Sequence, residues 1–113
     1  MSNDYQNFFN ILELLLFVIS PEGDIVYCND TACKRLGYTR GELIGMPVVN
    51  IHPPEQRMFA AMLVQDMLDS KADVCPIPVQ CKDGSLIQVE TRVSLGQWDG
   101  KPALLGLLKM LLI

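Results

Sequence analysis

The run Ala103-Leu104-Leu105-Gly106-Leu107-Leu108-Lys109-Met110-Leu111-Leu112-Ile113 decides the fold class. It is apolar on both faces apart from Lys109, and such a strand belongs at the centre of a sheet covered on both sides. Working backwards, Trp98-Asp99-Gly100-Lys101 is a turn. Leu86 to Leu95 alternates, with Ile87, Val89 and Val93 inward and Gln88, Glu90 and Arg92 outward. Lys82-Asp83-Gly84-Ser85 closes a hairpin. Before it, Cys75, Ile77, Val79 and Cys81 point one way, while Pro76, Pro78 and Gln80 point the other. The two prolines lack the N–H donors one neighbouring strand would require, so this strand is expected at a sheet edge.

The first half supplies the other elements. Asp4 to about Leu12 reads as an amphipathic helix carrying Phe8, Phe9, Ile11 and Leu12. Leu15 to Ser20 and Ile25 to Tyr27 form a hairpin about the turn Pro21-Glu22-Gly23-Asp24. Asn29-Asp30-Thr31 offers cap residues for a short helix ending at Gly37, and Thr39-Arg40-Gly41-Glu42 matches a capping box. Pro53-Pro54 then opens the longest helix, Glu55 to Ser70, with Phe59, Ala60, Leu63, Val64, Met67 and Leu68 on one broad face. The order predicts an α+β domain: a five-stranded antiparallel sheet with short helices on one face and an amphipathic N-terminal helix. Residues 1–13 form the flanking helix and 14–113 the core of a single domain.

Composition narrows the function. Half of the 113 residues are hydrophobic and the net charge is −4, with Lys and Arg scattered. Nucleic-acid binding needs a clustered basic face, so no nucleic-acid partner is expected. Cys28, Cys33, Cys75 and Cys81 match no metal or redox spacing, and read as reduced thiols packed as small hydrophobes. No metal site is expected. Met1 leads into a polar run that lacks signal-peptide character, and the apolar run Leu14 to Ile19 is too short for a bilayer span. A cytoplasmic module without direct membrane insertion is expected, compatible with the cytosolic part of a membrane-anchored sensor.

Several motifs in order carry a family resemblance. Pro21 to Asn29, Leu36 to Gly45, His52 to Arg57, Lys82 to Ser85, Val89-Glu90-Thr91 and Trp98-Asp99-Gly100 resemble a PAS domain (a sensory box), over roughly Phe8 to Lys109. The variants most resemble PAS modules of bacterial sensor histidine kinases. The resemblance implies sheet order 2-1-5-4-3 and a sensory or signal-relay module regulating a linked output domain, in a two-component system, by a ligand-dependent or dimer-dependent change. The alternative is a ligand-free homodimerisation or protein-interaction module of a diguanylate cyclase or other signalling protein. Family members commonly pass from the last strand into an Asp-Ile-Thr signature. Here Met110-Leu111-Leu112-Ile113 follows Lys109 instead, so either this stretch stops at the domain edge or its signal exits differently.

A light-oxygen-voltage flavin sensor needs Asn-Cys-Arg-Phe-Leu-Gln, but Cys33 sits in Ala32-Cys33-Lys34-Arg35; covalent flavin is not expected. Cys-x-x-Cys-His, required for c-type haem, is absent. The one histidine, His52, stands before Pro53-Pro54, and a capping or surface role is expected for it. A small apolar ligand between the long helix and the sheet would be walled by Phe59, Met62, Leu63, Cys75, Ile77, Val79, Ile87 and Val89, although these residues equally serve as plain core. Phe8, Phe9, Leu105, Leu107 and Leu111 compose an expected dimer or relay surface. No nucleophile has an orienting partner and the glycines are spaced as helix stops, so the chain alone is expected to be non-catalytic.

Overall fold

A computed structural model describes residues 7–9 and 13–111. Strands β1 (Leu15–Ile19) and β2 (Ile25–Cys28) form the first hairpin, followed by helices α1 (Asp30–Leu36) and α2 (Arg40–Leu43). Two 3-10 turns, Val48–Ile51 and Pro54–Gln56, lead into α3 (Arg57–Leu68). The chain ends with β3 (Val74–Cys75), β4 (Val79–Gln80), β5 (Leu86–Ile87), β6 (Val89–Trp98) and β7 (Lys101–Met110).

The main sheet has the order β2-β1-β7-β6-β3, and β4 pairs with β5 in a separate ribbon. Counting only the strands of the main sheet, this is the expected 2-1-5-4-3. β7 lies between β1 and β6, antiparallel to both, as its two apolar faces require. The edge position of β3 also agrees with the prolines. The expected single strand over Val74 to Cys81 is nevertheless split. Only Val74 and Cys75 pair with β6, because Pro76 and Pro78 cannot donate to a ladder and the chain leaves the sheet there.

Local chemistry terminates the helices as the residues anticipate. Thr39 and Glu42 exchange side-chain and backbone bonds in a full capping box, and Gly37 closes α1 at a φ of 81°. The helix expected over Glu55 to Ser70 is shorter at both ends. Pro54–Gln56 tightens into a 3-10 turn, while Ser70, at a φ of 59°, takes the left-handed conformation that stops α3. Residues 7–9 are helical, and the rest of the expected N-terminal helix lies outside the described residues.

The inner face of the sheet packs Leu15, Phe17, Ile19, Val89, Leu104 and Leu108 against Ala32, Leu36, Leu43, Ile51, Ala60 and Met67. This core sets the rotation of α3. Ala60 and Met67 are buried, whereas Met58, Phe59 and Met62 are 82%, 48% and 63% exposed. At about 100° per residue, Phe59 stands at the edge of the Ala60–Met67 line, and Met58 and Met62 lie on the far side. The contact stripe is therefore narrower than the broad face read from the helical wheel.

Candidate functional site: an inner cavity and an outer apolar face

Between α3, the Val48–Ile51 turn and the sheet lies a cavity of about 50 Å³. Phe17 and Ile19 of β1, Leu104, Gly106 and Leu108 of β7, and Ala60, Leu63, Val64 and Met67 of α3 form most of its wall. A water molecule occupies about 30 Å³ in the liquid, so the space suits one or two small groups. Pockets for drug-sized ligands run to about 300–1,000 Å³. A larger molecule would enter only if α3 moved away from the sheet.

Two polar side chains interrupt this apolar wall. His52 and Thr91 both line the cavity, and each is 7% exposed. His52 Nδ1 lies 2.9 Å from the Pro78 carbonyl. A carbonyl only accepts, so Nδ1 carries the hydrogen and Nε2 keeps a lone pair. Burial lowers the His52 pKa, the Pro78 bond opposes that shift, and the nearby Arg57 charge adds to it; the ring is held neutral. Arg57 in turn donates from Nε to the His52 carbonyl at 3.1 Å, fixing the entrance to α3. The buried Thr91 hydroxyl has no hydrogen-bond partner among the described residues.

These positions correct part of the sequence reading. His52 is a buried wall residue and not a surface one, because the chain stays buried through Pro53 and reaches the surface only at Pro54. Phe59 and Met62 face solvent, for the rotational reason given above, and do not wall the cavity. Leu63 and Cys75 do lie in its lining. Ile77, Val79 and Val89 are buried and Ile87 is half-buried, all in the core away from that lining. Thr91 was detectable from its phase, since it falls between Val89 and Val93 on the inward side of β6.

The outer face of the sheet is built from the alternate residues. Leu16 stands opposite Leu107, and Val18 lies between Tyr27 and Leu105. Leu105 is half-buried, while Leu107, Leu111 and Phe8 are exposed. Tyr27 stacks on Trp98 with ring centroids 4.9 Å apart, and Phe9 meets Tyr27 edge-on at 6.4 Å. Phe9 thus reaches this face.

Asn29 holds that segment to the core. Its fully buried amide donates from Nδ2 to the carbonyls of Phe9 (3.0 Å) and Leu14 (2.9 Å). Its Oδ1 accepts from the amides of Leu16 and Ala32, both at 3.1 Å. One side chain therefore caps α1, starts β1 and anchors the N-terminal segment. The sequence suggested only the cap.

Among the described residues, no cluster of three or more His, Cys, Asp or Glu side chains could hold a metal, and no helix is long and apolar enough to cross a membrane.

Comparison with known proteins agrees with this architecture. The PAS domain family model matches residues 14–109. A PAS domain from Desulfitobacterium hafniense superposes with a TM-score of 0.86 at 28% identity, covering 93% of this chain and 99% of that one. A domain of a sensory box sensor histidine kinase/response regulator from Geobacter sulfurreducens gives a TM-score of 0.81 at 23% identity, with 96% and 92% covered, which shows a shared fold. A voltage-gated inwardly rectifying potassium channel of Sus scrofa is 36% identical over 64 residues, which are 54% of this chain and 6% of the channel. With the strand order, the helical layer and the inner cavity all in place, the chain belongs to the PAS domain family.

Proposed function

We propose that this PAS domain senses or relays a signal to a linked output domain of the histidine kinase type, and is not itself catalytic. One observation carries the reading: β7 lines the cavity with Leu104, Gly106 and Leu108 and forms the outer apolar face with Leu105 and Leu107. A small, largely apolar ligand seated against His52 and Thr91 displaces β7, and that displacement reaches the N-terminal segment and a second copy of the chain across the outer face. A role in two-component signalling is supported by the histidine kinase neighbour above.

The small cavity favours a second reading, in which the core is permanently filled and the domain acts as a ligand-free homodimerisation module. Native mass spectrometry of the purified chain, with a sedimentation measurement on Leu107→Asp, separates the two. A retained small molecule supports the sensor. Clean apo protein that dimerises through Leu107 supports the ligand-free module. A dimer unaffected by Leu107→Asp refutes the outer-face interface in both readings.

A further inference from the structure

We propose that Cys28 and Cys33 form a peroxide-oxidisable pair whose disulfide loosens the anchorage of the N-terminal segment at Asn29. The two Sγ atoms lie 3.7 Å apart, across the junction of β2 and α1. Cys33 is half-buried against the edge of the core and is the more accessible of the two, whereas Cys28 is fully buried. Between them in sequence sits Asn29, the residue that bonds Phe9, Leu14, Leu16 and Ala32.

The chemistry requires hydrogen peroxide and two thiols. The Cys33 thiolate attacks one peroxide oxygen, the O–O bond breaks, and hydroxide leaves and is protonated to water; the sulfur becomes a sulfenic acid. Cys28 Sγ then displaces the sulfenic oxygen, forming the S–S bond and releasing a second water with the proton Cys28 gives up. Two thiols are oxidised and one peroxide is reduced to two waters. Burial chiefly, with the adjoining Cys33, pushes the Cys28 pKa up to about 12, and Arg40 opposes the shift. The second step is therefore slow, and a Cys33 sulfenic acid accumulates before closure.

Closure must bring the sulfurs to about 2.05 Å. The Cys28 carbonyl resists displacement because Arg40 donates to it from Nε at 3.3 Å and Nη2 at 3.1 Å, with Asp30 pairing the same guanidinium at 2.6 Å. The displacement falls on the intervening segment, including Asn29. Weakening about one of its hydrogen bonds accelerates amide exchange at Leu16 and Ala32 by about fivefold.

The test uses the whole chain, treated with hydrogen peroxide, alkylated, and digested with trypsin. Residues 1–34 and 72–82 are separate peptides, so the Cys28/Cys33 pair is read apart from Cys75 and Cys81. The expected result is a 1–34 peptide that lacks two hydrogens and resists alkylation, while 72–82 stays fully alkylated. Dimedone, which traps sulfenic acids, labels Cys33 early in the reaction, and amide exchange at Leu16 and Ala32 rises once the disulfide forms. Cys33→Ser shows neither the loss of hydrogens nor the faster exchange. Full alkylation of 1–34, a disulfide between two molecules, or equal oxidation of 72–82 overturns the pair. An internal disulfide with unchanged exchange at Leu16 and Ala32 overturns the link to Asn29.

Discussion

Replacing Asn29 with alanine removes four hydrogen bonds from a site with no solvent access. Loss of the α1 cap costs about 1 kcal/mol. Each of the other three bonds contributes about 1 kcal/mol net, and water cannot fully replace their buried partners. The expected destabilisation is about 4 kcal/mol, a large part of the roughly 5–15 kcal/mol that holds a domain of this size. With a urea slope of about 2 kcal/mol/M, the unfolding midpoint falls by about 2 M. A fall under about 0.5 M, at an unchanged slope, would refute the claim that this side chain joins three elements.

Asn29→Asp separates the cap from the anchor. A carboxylate still accepts from Leu16 and Ala32 but offers nothing to the carbonyls of Phe9 and Leu14. α1 is expected to persist while the N-terminal segment detaches. The single tryptophan, Trp98, reports this directly, because it stacks on the Tyr27 ring that Phe9 touches. Its emission shifts to longer wavelength in the variant. Wild-type emission from folded Asn29→Asp means that some other contact holds the segment.

The rotation of α3 is tested by two methionines of the same helix: Met62→Lys changes stability by less than about 0.5 kcal/mol, whereas Met67→Ala loses about 2–5 kcal/mol, and equal effects contradict the burial stripe. The lowered pKa of His52 sets an acid limb. Below its ordinary value of 6.5 the unfolded chain binds the proton more readily than the folded one, so stability falls as pH drops through 6.5, by up to about 1.4 kcal/mol per pH unit. His52→Asn removes that component, and identical profiles for variant and wild type reject it. Cys28 has the opposite sign: its thiol is retained in the fold up to about 12 but ionises near 9.0 when unfolded, so stability falls as pH rises through that window. The difference between wild type and Cys28→Ala isolates this loss, and a difference that does not vary with pH above 9.0 excludes it.

The sheet was legible because strand position leaves a compositional mark. A two-faced apolar run required the centre, and paired prolines required an edge, so β7 and β3 could be placed without any contact information. The cavity was less legible, since its wall depends on rotation and on chain direction at single residues. Met62 and Leu63 are adjacent and both apolar, yet one faces solvent and the other the cavity; only the tertiary contact at Ala60 decides between them. His52 was misread for a related reason. Prolines advertise a turn but not which residue before it is buried, and the bond from His52 to Pro78 spans 26 positions with no local signature.

Gly106 shows why the inner and outer sites are hard to separate physically. It lies on β7 opposite Phe17 and Val93, and it lines the cavity. A Cβ there would meet the Phe17 carbonyl oxygen at 3.7 Å, an ordinary contact, so steric crowding does not demand glycine. Its missing side chain instead leaves part of the cavity open at mid-strand. The flanking residues Leu105 and Leu107 point to the opposite face, toward Val18 and Leu16 on β1. A strand is one residue thick, and its backbone is tied by ladders to both β1 and β6. Pressure applied at Gly106 from the cavity therefore has no compressible layer in which to dissipate before it reaches Leu105 and Leu107. Gly106 therefore joins the cavity wall to a strand whose two neighbouring side chains belong to the outer face.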